Sequence, residues 1–424
     1  MSEEVYNHGR GDPSEMLRTL RITSLDEEED EEDAPVNDIH EDDNEEEEDD
    51  EGEEEGQEPV SLGFVESPKH SWSLSRELFP SIAGGTPAWL DPMNLPNGKS
   101  CFCDFCGEPL QFLLQVYAPL LQKESTFHRT LFVFICPSMS CLLKNQHDQW
   151  KQHPEKASRS LKVFRCQLPR FNSFYSSEPP RHNGSDRPSR AGAVLCSWCG
   201  TWRGDKICSN CRRARYCSQK HQTAHWRSGH KTECRLSSIE PMPSASTLND
   251  ISAERQKVVN NRLWPQFEIV NEDESDAVES GHNEFDKSLV SQSQMDESIK
   301  SLLDTFEVGG DKKTWASFQE RISRDPEQVL RYYRFAKAKP LWPMSSDRPS
   351  NMDVPRCSCC GGPRACEFQV LPQLLYYFGV ENNAGSLDWA TIVVYTCEAS
   401  CNDSIVYKEE FAWVQLLSQS ATTL

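Results

Sequence analysis

"CDFCGEPLQFLLQV", Cys103 to Val116, is written a second time with variations as "CSCCGGPRACEFQV", Cys357 to Val370. Setting Cys103 on Cys357 places Cys106 on Cys360, Gly107 on Gly361 and Gln115 on Gln369 without a gap. Each copy leads to a β-rich run that ends in cysteine, "LFVFIC" (Leu131 to Cys136) and "IVVYTC" (Ile392 to Cys397). Another cysteine follows closely, Cys141 in the first copy and Cys401 in the second. Zinc takes four thiolates or imidazoles at tetrahedral corners, and two turns that each carry a close pair supply them with little chain strain. One zinc is therefore expected on Cys103, Cys106, Cys136 and Cys141, and a second on Cys357, Cys360, Cys397 and Cys401. The glycine after each CxxC suits a knuckle of positive φ whose amides face sulfur. A structural zinc supplies about 10–16 kcal/mol, so loss of one ligand is expected to unfold that half.

The competing interpretation is a set of buried free thiols, because cysteine is among the most buried residue types. Cys101, Cys166, Cys359 and Cys366 fall outside the pattern and read as ordinary thiols, with Cys359 able to stand in for a neighbour. His128, His147 and His153 read as surface or packing histidines. Thiolates committed to zinc do not attack substrates, so a catalytic cysteine is not expected. The fold class that follows is mainly β with short helices (α+β). Two duplicated β halves, each pinned by zinc, are expected to pair with one another in one sheet system or barrel.

Between the copies lies "CSWCGTWRGDKICSNCRRARYCSQKHQTAHWRSGHKTEC", Cys196 to Cys234. Its eight ligands, Cys196, Cys199, Cys208, Cys211, Cys217, His221, His230 and Cys234, call for two zincs, and spacing alone allows sequential or interleaved pairing. The pattern resembles a MYND zinc finger. That resemblance implies Cys196, Cys199, Cys217 and His221 at one site, and Cys208, Cys211, His230 and Cys234 at the other. His225 competes with His230, but His230 pairs with Cys234 one helical turn on. Through Arg235 the block holds nine Lys or Arg against two acids, read as a solvated face rather than a nucleic-acid contact. MYND fingers bind short proline-containing peptides, which is the partner class implied here.

The chain has 424 residues, a formal charge of −23 and 18 cysteines. It contains no apolar run of the roughly 18 residues a membrane helix needs, and its N-terminus lacks the order of a secretion signal. A soluble intracellular protein, cytoplasmic and nuclear, is expected, where cysteines serve metals rather than disulfides. From Asp26 to Glu58, 23 of 33 residues are Asp or Glu, leaving 44 acids against 44 Lys and Arg elsewhere. Such a polyanion is expected to be disordered. It would hold a basic partner and discourage direct nucleic-acid binding.

The organisation expected is an acidic tail over 1–58, an N-terminal β half over 59–172 and a linker over 173–190. The finger follows over 191–236, then a mostly flexible segment over 237–310 with one strand near 263–270, and a C-terminal half over 311–424. "VSLGFV" (Val60 to Val65) and "FAWVQLL" (Phe411 to Leu417) have strand composition. Trp315, Phe318 and Ile322 mark one helical stripe, and Asp325, Pro326 and Gln328 match the N-cap, N1 and N3 positions of a second helix.

"PEQVLRY" (Pro326 to Tyr332), "FQVLPQLL" (Phe368 to Leu375) and "LDWATIVVYTC" (Leu387 to Cys397), together with the inserted finger, resemble the programmed cell death 2 protein family. The resemblance covers most of residues 60–415. It implies a dedicated escort that captures a newly made small-subunit ribosomal protein and supports small-subunit production; a monomer is expected. The competing function is an adaptor in transcription or cell-death signalling that works through the finger. An enzyme is not expected, since no P-loop, GxSxG or dinucleotide fingerprint occurs.

Overall fold

The computed structural model describes residues 60–70, 72–147, 158–186, 192–236, 263–274, 311–334, 339–350, 352–381, 383, 385–402 and 404–416. The acidic tract, most of 237–310, the end of the 173–190 stretch and His153 lie outside them. The protein is mainly β with a few short helices and a separate Cys/His finger. Ten strands close into one barrel. Five come from the front of the chain: β1 (Ser61–Glu66), β2 (Ile82–Ala83), β3 (Gln111–Tyr117), β4 (His128–Ile135) and β5 (Leu161–Leu168). The finger contributes a separate ribbon, β6 (Lys206–Ile207) and β7 (Arg215–Tyr216). The rear five are β8 (Phe267–Asp273), β9 (Leu330–Tyr332), β10 (Arg364–Val370), β11 (Thr391–Cys397) and β12 (Tyr407–Gln415).

The order around the barrel is β1-β8-β2-β3-β4-β5-β12-β11-β10-β9, closing on β1. Reading it backwards exchanges each front strand for its rear counterpart, which defines a topological two-fold across the barrel. β1 pairs with β8 at one seam and β5 with β12 at the other. The first strand of each half is laid against the second strand of the other, β1 on β9 and β8 on β2. Neither half can therefore complete its own hydrogen-bond ladder. The correspondence extends to irregularities: β3 is bulged between Phe112 and Leu114, and β10 between Cys366 and Phe368, the same positions in the aligned phrases. Gln115 and Gln369, also equivalent, are buried and each clamps an incoming loop. Gln115 bonds Pro80 and Ala88, and Gln369 bonds both polar groups of the Leu341 backbone.

Alternation along the strands sorts the two faces. Leu131, Val163, Val370, Val394 and Val414 belong to one cluster drawn from both halves, which fills the interior. Phe112, Phe132, Phe134 and Phe164 point the other way and form a second cluster on the outside of the front half. Short helices lie between these strands: α1 (Met139–His147) follows β4. Helices α2 (Gln219–His225) and α3 (Lys231–Leu236) belong to the finger, α4 (Asp311–Arg324) precedes β9, and α5 (Gln373–Tyr377) follows β10. Among the described residues no helix is long and apolar enough to cross a membrane.

Two expectations need correction, and one boundary moves. The helix of Trp315, Phe318 and Ile322 is present as α4, packed on Leu371, but no helix follows Asp325. The amide of Asp325 bonds Ile322 and that of Gln328 bonds Asp325, a tight turn. The Gln328 side chain donates to the carbonyl of Asp325 at 2.8 Å, so it closes a helix end instead of opening one, and the chain leaves as β9. The strand foreseen near 263–270 is present but begins at Phe267 and runs to Asp273; Trp264 before it is stacked on Phe378 with ring centroids 4.9 Å apart. The stretch from Ser173, read as a linker, begins as part of the body. Phe174 and Tyr175 are buried, and the Tyr175 hydroxyl donates to Leu90.

Candidate metal centres and the docked finger

The sixteen ligand candidates fall into four groups whose donor atoms lie within 4.8 Å of one another. Each group begins on a knuckle of one design. The amide of Gly107 bonds the carbonyl of Cys103 and that of Gly361 bonds Cys357, and in the finger Gly200 bonds Cys196 and Arg212 bonds Cys208. The closing residue has positive φ in all four cases, +67°, +68°, +63° and +54°. Three are glycines, for which this conformation carries no Cβ penalty, whereas Arg212 bears it.

The distances fit zinc. Tetrahedral zinc with bonds of about 2.3 Å to sulfur sets sulfurs about 3.8 Å apart. Cys106 and Cys136 are 3.6 Å apart, Cys357 and Cys401 3.6 Å, Cys360 and Cys397 3.5 Å, Cys199 and Cys217 3.9 Å, and Cys208 and Cys234 3.8 Å. A disulfide needs about 2.05 Å. His221 turns Nδ1 to Cys217 at 3.2 Å, and His230 turns Nε2 to Cys211 at 3.6 Å, so the finger's pairs interleave as the resemblance implies. His225 is spent elsewhere: its Nδ1 lies 3.1 Å from the Tyr216 hydroxyl and its ring stacks on His230.

One thiol in each cluster is held low, while the neighbouring sulfurs and burial raise partners such as Cys136 and Cys217, and burial raises Cys397. Cys103 is brought down to about 5, first by the hydrogen bond from Cys136 and then, against burial, by the amides of Cys106 and Phe105. Burial opposes ionisation of Cys208 and Cys357, but knuckle amides outweigh it and bring each to about 6. Outside the clusters burial pushes Cys101 up to about 12 and raises Cys166 and Cys366 as well. Cys359 is exposed and outside the four-cysteine set. His128 is buried beneath Phe79, bonded to Tyr117, and burial lowers it to about 4; it packs. The side chain of His147 is outside the described residues.

Two sulfur partners carry no sequence signal. Lys408 donates to Cys401 at 2.7 Å and Asn210 to Cys234 at 3.0 Å. Burial works against the charge of Lys408, yet Cys359 and Cys401 raise its ammonium above the ordinary value. A zinc held there by four thiolates would be anionic, and this cation would offset it.

The two barrel clusters close opposite rims. Ile135, at the end of β4, pairs with Leu161; Val163 pairs with Glu410; and Ile392, at the start of β11, pairs with Val414. Cys136 therefore leaves the rim where β11 begins, and Cys397 leaves the other. Inside that second rim lies a buried ion network. Glu367 accepts from Arg129 at 2.7 Å, from Arg334 at 2.9 Å and from Tyr332 and Thr396. Burial alone would raise Glu367, but Arg129 above all holds it near 2. Glu410 bridges Arg165 and Arg364 and accepts the amide of Cys397, tying the network to the cluster.

The finger is fixed to the front half. Trp202, 1 % exposed, lies 4.4 Å from Phe134 and donates its indole N–H to the carbonyl of Leu110. Trp89 returns the contact by donating to Thr201. Lys220 reaches Glu108 and the carbonyl of Cys106. Trp202→Ala is expected to expose the finger and the Phe134 face while leaving the finger's clusters whole. Limited proteolysis should then cut within 187–195 at least tenfold faster, at unchanged zinc content, a change of over ~1.4 kcal/mol in local opening.

A ten-stranded barrel with a cysteine cluster at each rim and a docked finger carrying two Cys/His clusters defines a class of β scaffold whose clusters could each hold a metal ion. Residues 59–182 match the N-terminal domain of programmed cell death protein 2, 312–416 its C-terminal domain, and 196–234 the MYND finger. Programmed cell death protein 2 of Bos taurus is 38% identical over 379 residues, 87% of this chain and 99% of the relative. That of Rattus norvegicus is 38% identical over 376 residues, covering 85% and 97%. The chain belongs to the programmed cell death 2 family. A protein of Schizosaccharomyces pombe named "Probable 20S rRNA accumulation protein 4" is 31% identical over 119 residues, 24% of this chain and 28% of the relative. No solved structure matches the chain.

Proposed function

We propose that this protein is a zinc-pinned escort that captures a newly made, basic small-subunit ribosomal protein and so supports production of the small ribosomal subunit. Zinc in all four clusters would act as structure, since four protein ligands leave no open position for catalysis. The observation that carries the link to ribosome production is the similarity to a relative named for 20S rRNA accumulation. The acidic run of 23 carboxylates in 33 residues supplies charge complementary to a basic client.

Affinity purification of the intact chain from cells, with mass spectrometry of what accompanies it, tests the reading. One small-subunit ribosomal protein at near-equal amount is expected, and its absence would refute the escort role. Deleting residues 26–58 should weaken client capture several-fold at low salt and flatten its salt dependence, because fewer charge contacts remain to be screened. Capture that is unchanged at every salt concentration would remove the electrostatic part alone.

A further inference from the structure

We infer that the outer knuckle of the finger binds single-stranded nucleic acid. Docking consumes the inner side of the finger, through Trp202, Thr201 and Lys220. Its second cluster is built by Cys208, Cys211, His230 and Cys234, and cations follow these ligands directly in sequence. Arg212 and Arg213 follow Cys211, Lys231 follows His230, Arg235 follows Cys234, and Arg227 lies one turn earlier. All five are exposed. None has an ion pair among the described residues. The finger's own acids are engaged elsewhere: Asp205 pairs with Arg203 at 3.1 Å, and Glu233 lies 3.7 Å from Nδ1 of His230. Three thiolates around one zinc leave a single negative charge, which the cations outnumber.

Beside them Trp226 is 39% exposed, with its ring 5.9 Å from that of His230. An accessible aromatic ring flanked by cations is the pairing that holds single strands, the ring stacking on a base while the cations take phosphates. Cations spread over a knuckle and a helix suit a polyanion charged at every unit. A short acidic peptide would need them aligned on one strip. This departs from the expectation of no direct nucleic-acid contact, which took the finger's cations for a solvated face.

The test uses the full-length, zinc-loaded protein, with no client present, and a fluorescein-labelled single-stranded RNA longer than the about 4–16 nucleotides such surfaces cover. Neutralising about four phosphates predicts affinity that falls about 50-fold between about 50 and 200 mM salt. Combining Arg213→Glu, Arg227→Glu and Lys231→Glu should weaken binding more than tenfold. Trp226→Ala should weaken it about fivefold or more while leaving the salt dependence in place. Zinc content that matches the parent certifies that each variant is folded; if the charge variant loses zinc, the tryptophan variant and the salt dependence decide. No binding at low salt, equal binding by folded variants, or an oligoglutamate peptide bound more tightly than the RNA would each overturn the inference.

Discussion

Replacing Cys357 and Cys360 together by Ser is expected to collapse both halves of the barrel in one transition, with both barrel zincs lost and the finger's two retained. The cluster stands to lose about 10–16 kcal/mol of metal binding, as much as the whole stability of a typical domain, about 5–15 kcal/mol. The damage spreads because β1 hydrogen-bonds to β9 and β8 to β2. Without its rear partner the front half loses a strand on each side of that seam. This sharpens the expectation that losing a ligand unfolds only its own half. Zinc analysis with hydrogen exchange of β3 and β4 measures the outcome. Protection persisting in the front strands would mean that the strand exchange does not couple the halves.

Glu367→Gln should cost about 3–5 kcal/mol of stability, the usual penalty for leaving a buried charge without its partner. Glu367 and Arg129 are both wholly buried. The amide substitute would leave Arg129 uncompensated and Arg334 weakened. Chemical denaturation followed through tryptophan fluorescence gives the change directly. A matched removal of both charges, Glu367→Gln with Arg129→Met, should recover a large share of the loss, because the unpaired charge and not the missing bond carries the penalty. A double variant no better than the single one would point to the hydrogen bonds of Tyr332 and Thr396 instead.

Much of the architecture was legible because zinc ligation writes itself into spacing. The repeated CxxCG phrase predicted positive φ at Gly107 and Gly361 and grouped Cys136 with Cys141 and Cys397 with Cys401. The β composition of "LFVFIC" and "IVVYTC" marked the strands that carry them. The exchange of β1 and β8 was not legible, because sequence pattern announces a strand but not its neighbour. β8 lies far along the chain from β1, its partner in the ladder. Asp325, Pro326 and Gln328 misled for a different reason: the same residues that cap the start of a helix also make a turn and satisfy the carbonyls at its end. Glu367 and Arg129 lie far apart in the chain, in strand-forming stretches that give no sign of pairing, and only closure of the barrel brings them together. Trp202 carries no sequence sign of its role, because nothing local distinguishes an internal core from a docking face. Lys408 and Asn210 touch sulfur through contacts that spacing does not encode.

The central claim is that metal fastens both rims of the barrel as well as the finger. Elemental analysis of the intact chain, purified without added metal and quantified against protein mass, tests it most directly. Four zincs per chain is the predicted result. Two per chain, with Cys136 and Cys397 open to alkylation in the folded protein, would contradict it.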